Sequence, residues 1–189
     1  MLRIVLGFVF MCAAVPLSAS AQGWDPRAEA VAERSTKVES QIEAANDVAK
    51  DFLEKTPSLQ IYFDTAYGYA VFPEVKKAGI GVGGARGSGI LFKDGEPQKR
   101  AYLTQYTVGL QIGLKSYSEI IFFRDRDAYD RFDYGEFAFS SNAAAVTAVW
   151  GRVEQTGFTD DAAVFVTPGN GTMLEASIGG QNFGTRELK

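Results

Sequence analysis

The chain has 189 residues, 19 basic and 23 acidic, with one cysteine and no histidine. That excludes an internal disulfide, zinc, copper or iron sites built on His or Cys, and Ser-His-Asp or Cys-His catalysis. A net charge of −4 also argues against a general nucleic-acid binder, which needs a strongly basic domain.

Residues 1–21 read as a signal peptide. Arg3 gives a short positive end, Ile4 to Val15 is an apolar run broken by Gly7, and Ala19-Ser20-Ala21 fits the small-residue cleavage rule. The run is too short to span a bilayer comfortably, so cleavage after Ala21 and export to the periplasm or medium are expected, with an uncleaved anchor as the alternative. The one cysteine, Cys12, leaves with the leader. Residues 22–189 then form a single domain: an N-terminal helix over 22–56 and an α+β core over 57–189.

Gln22 to Lys55 is the long helical pattern. Asp25-Pro26 reads as an N-cap followed by proline at the first helical position. Val31, Val38, Ile42, Ala45, Ala49 and Phe52 share one face, and a break near Ser35 would divide the helix in two. This apolar face can dock on the core or lie on a membrane surface, although the polar face lacks the Lys/Arg excess that anionic lipid favours. A short helix follows at Pro57 to Tyr67, and Tyr69 to Phe72 is an apolar run stopped by Pro73.

Glycines crowd the next stretch. Gly79, Gly81 and Gly83 alternate with Ile80, Val82 and Gly84, so one strand face is bare and the other carries Ile80 and Val82. Strands normally avoid glycine, so the bare stripe predicts a close approach of other backbone, a helix or a ligand. Gly79, Gly81 and Gly84 fit G-x-G-x-x-G, but the residues that follow have no helical period, which argues against a dinucleotide loop. Lys93-Asp94-Gly95-Glu96-Pro97 is a hairpin turn.

From Leu103, Val108, Leu110, Ile112 and Leu114 alternate with small or polar residues, and Ser118 to Phe123 begins another strand. Arg124 to Phe132 mixes bases and acids and reads as a solvated short helix. Ala143 to Trp150 fits either strand or helix. Ala163 to Thr167 and Thr172 to Ile178 read as strands joined by a turn at Pro168-Gly169-Asn170-Gly171. The fold class is α+β: N-terminal helical segments packed on a bent, glycine-rich antiparallel sheet, with closure into a barrel or sandwich open to it.

Three blocks, AYGYAVFPEVKKAGIGVGGARGSGILF (66–92), YTVGLQIGLKSYSEIIFF (106–123) and GTMLEASIGGQNF (171–183), resemble the SYLF-domain family, a lipid-binding family that includes the yeast actin-patch proteins. The resemblance spans roughly residues 30 to 185 and is closest to the exported bacterial type. It implies non-enzymatic binding of phospholipid headgroups. Actin, which some eukaryotic members bind, is not expected to meet an exported protein.

Lys76, Lys77 and Arg86 flank or interrupt the glycine strand and are the candidate contacts to an anionic phospholipid or membrane surface, each contributing about 1 kcal/mol. Their bland reading is a charged strand edge that discourages pairing. Gly79, Gly81 and Gly83 are the candidate close-packing positions. Glu119, Asp64 and Glu74 show no acid-base spacing, so no catalytic residue, metal or cofactor is assigned. The competing reading is a cell-envelope structural or assembly protein, with the glycine face packed on a protein partner or on a second copy.

Overall fold

The computed structural model describes residues 25–139, 146–147 and 161–188. The expected leader and most of Ala143–Trp150 lie outside the described residues; Val146 and Thr147 are extended.

Helix α1 (Pro26–Lys55) is unbroken at Ser35. The Asp25 carboxylate accepts the Arg27 N–H at 2.9 Å, and Pro26 occupies a position whose missing N–H costs nothing. Val38, Ala45 and Phe52 recur every seven residues and are buried, with Ile42 and Ala49 packed between them. Val31 belongs to the same periodic face yet is exposed, because the helix extends past the sheet before Val38. A 3-10 turn (Pro57–Leu59) and α2 (Gln60–Thr65) then set Leu59 and Tyr62 into the same core.

Three long strands dominate the rest. β1 (Gly68–Lys93) and β2 (Glu96–Phe123) form one antiparallel hairpin, turned by Asp94 and Gly95 at φ 53° and 79°. Two successive positive φ values match the twist of the flanking strands. After α3 (Arg126–Asp133) and two short strands, β3 (Ala138–Phe139) and β4 (Val146–Thr147), β5 (Ala162–Glu187) pairs antiparallel with the whole of β2. The sheet runs β1-β2-β5-β3, with β4 parallel to β5, and does not close into a barrel.

Three expected breaks are absent. Pro73 does not stop its strand: it sits in a register shift between Phe72 and Val75 of an edge strand, where a missing N–H is tolerated, and the Ser118 hydroxyl donates to its carbonyl at 2.8 Å. Ser118 does not begin a strand but continues β2. Pro168-Gly169-Asn170-Gly171 does not turn either. β5 bulges there, with Tyr117 opposite Pro168 and Lys115 opposite Gly171, so one residue of β2 faces two of β5.

The long strands fold over on themselves, so the sheet forms two layers without becoming two sheets. In β1, a Cβ on Gly87 would lie 2.8 Å from Val75 Cγ2, and one on Gly89 would collide with the Val71 carbonyl. In β2, the Tyr117 hydroxyl reaches Gln105 Oε1 at 3.3 Å, 12 residues away on the same strand. The inner core between the layers holds Ala70, Phe72, Leu91, Leu103, Ile121, Phe123 and Phe183, and Ala128, Tyr129 and Phe132 of α3 pack into it. The acids and bases from Arg124 to Arg131 are exposed or half-exposed, as expected, and Asp161 accepts from both Arg124 and Arg131. The outer core, under α1 and α2, holds Val71, Ile90, Phe92, Ile120, Phe122 and Phe165.

Candidate functional site

The two layers meet at a bend formed by the middles of the three long strands. Between Ile80–Ile112 and Val82–Val108, the one residue Gly81 faces three residues of β2. Gly81, Gly109 and Gly113 all have positive φ, at 71°, 146° and 130°, values that side-chain-bearing residues rarely adopt. This is how the glycine-rich composition is used: it lets both strands turn sharply at one level.

Alternation then sorts the side chains around the bend. On the outer face, Ile80 lies opposite Ile112, Val82 opposite Val108, Ala78 opposite Leu114 and Gly84 opposite Tyr106. These six large apolar residues are exposed, Ile80 at 80% and Ile112 at 57%. The inner face at the same level carries Lys77, Gln105, Thr107, Tyr117, Glu119 and Gln181, of which Lys77, Thr107 and Glu119 are buried polar or charged residues. A sheet with one face in water normally places apolar residues inside and polar residues outside. Here that order is reversed near the bend, which leaves a contiguous patch of exposed apolar side chains among the described residues.

Lys76 and Arg86, ten positions apart in the chain, come together because β1 folds over. Both line a shallow groove of about 550 Å³ between α1 and the sheet, with Ser40, Gln41 and Tyr102, and both border the apolar patch near Val82 and Tyr106. Lys76 forms an ion pair with Glu74 at 3.1 Å, and both groups remain mostly solvated. Lys77 does not join them. It follows Val75 on the inner face and is 5% exposed, so the adjacent lysines of the sequence point to opposite sides of the strand.

The close-packing glycines also differ from expectation. Gly81 has open space around it, and Gly79 and Gly83 are half-exposed. Close approach occurs at Gly68 and Gly89, where an added Cβ would strike ring or backbone atoms, and at Gly87, where it would strike the Val75 side chain. The alternating run marks where the strand bends, and the tight contacts lie outside the bend where the layers touch.

The basic residues of the hairpin turn are committed to the fold. Lys99 bonds Asp133 at 2.7 Å, and that hydrogen bond raises its ammonium above the ordinary value. Lys93 lies over the Tyr67 ring at 4.7 Å. Arg100 and Arg186, opposite one another on β2 and β5, both lie against Tyr102. Sequence reasoning missed two features. The outer apolar patch was legible only as alternation, with no sign of which face would meet water. Glu119 looked like an ordinary strand carboxylate, but it is fully buried, and burial pushes its pKa up to about 7 against a smaller opposing effect of Gln181. Among the described residues no group of His, Cys, Asp and Glu is placed to hold a metal ion, and no helix is long and apolar enough to cross a membrane.

No family model matches the chain. Beta cell expansion factor A of Aeromonas veronii is 26% identical over 129 residues, which cover 67% of this chain and 49% of that protein. The chain therefore spans about half the length of the curated relative it matches.

Proposed function

We propose that the chain is an exported, non-enzymatic phospholipid-binding protein of the SYLF type, and that it meets the membrane with the outer face of its bend. The carrying observation is the exposed patch of Ile80, Val82, Tyr106, Val108, Ile112 and Leu114, contiguous by strand register and set over a polar inner face. Peripheral binding needs buried apolar area, with basic residues adding attraction to anionic lipid. The patch supplies the first and the neighbouring Lys76 and Arg86 the second. Acidic net charge keeps the second contribution small, so apolar insertion dominates.

Co-sedimentation of residues 22–189 with neutral and anionic vesicles across a salt series tests this reading. Binding to both, tighter on anionic vesicles at low salt, is expected. An oligomer with no affinity for either vesicle would overturn it in favour of a cell-envelope assembly protein whose patch covers another protein. The Lys76→Gln/Arg86→Gln variant should lose about thirtyfold in affinity for anionic vesicles at low salt and little for neutral ones. An equal loss on both would remove these two residues from a headgroup-contact role.

A further inference from the structure

Glu119 lies on the inner face of β2, opposite Phe72 of β1 and Val166 of β5. Register shifts flank it on both sides: the Phe72/Val75 shift in β1 and the Lys115/Tyr117 shift between β2 and β5. The side chain is fully buried. Oε2 accepts Gln181 Nε2 at 3.2 Å, while Oε1 is enclosed and has no hydrogen-bond partner among the described residues. Gln181 comes from the opposite layer, where it is the strand neighbour of Gln105, and Gln105 accepts the Tyr117 hydroxyl. Two parallel ties, Glu119–Gln181 and Tyr117–Gln105, therefore join the layers just inside the bend.

A buried carboxylate with one unsatisfied oxygen is costly when ionised and much less so when neutral. The ionisable groups on the inner face around it are Lys77 of β1 and Lys115 and Tyr117 of β2; the described inner-face neighbours on β5, Val164, Val166, Gln181 and Phe183, carry no charge. Among the described residues none of the charged groups offsets its burial; only the Gln181 bond does, and only partly.

We propose that Glu119 is a pH-sensitive latch: its neutral carboxyl, tied to Gln181, keeps the two layers of the folded-over sheet together at the bend, and its ionisation releases them there. In the opened bend the carboxyl regains its ordinary affinity for protons, near 4.5, whereas in the closed form it holds its proton to about 7. Opening therefore releases a proton between those values. The latch is fully effective below about pH 4.5, weakens about tenfold per pH unit as pH rises, and levels off above about 7.

The test is hydrogen exchange of the purified chain without lipid, so that it stands apart from the membrane reading. Rates are corrected for intrinsic pH dependence and read in peptides spanning 103–108, 114–119 and 177–183, with 45–55 of α1 as the internal reference. Between pH 5 and 7 the bend peptides should lose roughly fortyfold protection while the reference holds, and Glu119→Gln should flatten the profile. An identical profile in Glu119→Gln would overturn the latch, and so would an equal loss in the reference peptide, which would indicate global unfolding. A carbon-13 titration of the wild-type carboxyl covers the case in which the variant does not fold. A midpoint near 4.5 would sink the proposal, and one near 7 would sustain it.

Discussion

Gly89→Ala is expected to destabilise the chain by about 3 kcal/mol or more, the upper end of what overpacking costs. The added Cβ would collide with the Val71 carbonyl and lie 2.9 Å from Phe72 Cδ1. Neither neighbour can withdraw. Val71 is held in the β1–β2 ladder opposite Ile120, and Phe72 is fully buried in the inner core beside Phe183. Relief requires the two layers of β1 to separate, which opens the core on both faces of the sheet. For a chain of this length the melting temperature should fall by roughly 6–12 °C. Two controls isolate the cause. Gly184→Ala meets nothing within 4 Å and should stay within about 0.5 kcal/mol of wild type. Gly81→Ala also meets open space, but at φ 71° it should cost about 1–2 kcal/mol through backbone strain alone. Urea unfolding of the three variants orders them. Equal midpoints for Gly89→Ala and Gly184→Ala would mean that the layers do not touch at Gly89.

Ile80→Ser/Ile112→Ser should have the opposite profile, a large effect on vesicle binding and almost none on stability. The two residues are cross-strand partners at the centre of the exposed patch. Fully burying an isoleucine is worth about 1.5–3 kcal/mol. Taking the low end, for partial insertion, each loss is about tenfold and the pair about hundredfold in partitioning to neutral and anionic vesicles alike. Because neither side chain packs in the described cores, the unfolding midpoint should move little. Wild-type vesicle affinity in the double variant would remove the bend from the membrane contact and turn attention to the exposed N-terminal part of α1. Its comparison with Lys76→Gln/Arg86→Gln separates the two contributions: the apolar pair should act on both lipids, the basic pair on anionic lipid at low salt.

Local chemistry made much of the architecture legible in advance. The Asp25-Pro26 start of α1, its Val38-Ala45-Phe52 stripe, the Asp94-Gly95 turn and the strand character of EIIFF each follow from interactions within a few residues. The proline and glycine breaks misled for one reason. Pro73 and Pro168-Gly169-Asn170-Gly171 are strong turn formers in isolation, yet each lies in a bulge of a strand whose pairing with β2 resumes beyond it. The pairing of β2 with β1 and β5 over its whole length outweighs the local preference to turn.

The site divides in the same way. Sequence alone determined that this chain has no histidine chemistry, that its α+β core is built on glycine-bearing strands, and that Lys76, Lys77 and Arg86 are basic residues beside those glycines. Only the tertiary structure decided that Lys76 and Arg86 share a groove while Lys77 is buried, that Gly87 and Gly89 make close contacts while Gly81 meets open space, and that Glu119 is enclosed. Alternation assigns residues to two faces, but it carries no information about which face will be covered. That depends on where a long strand folds back and on what packs against it, and both are set by residues far apart in the chain.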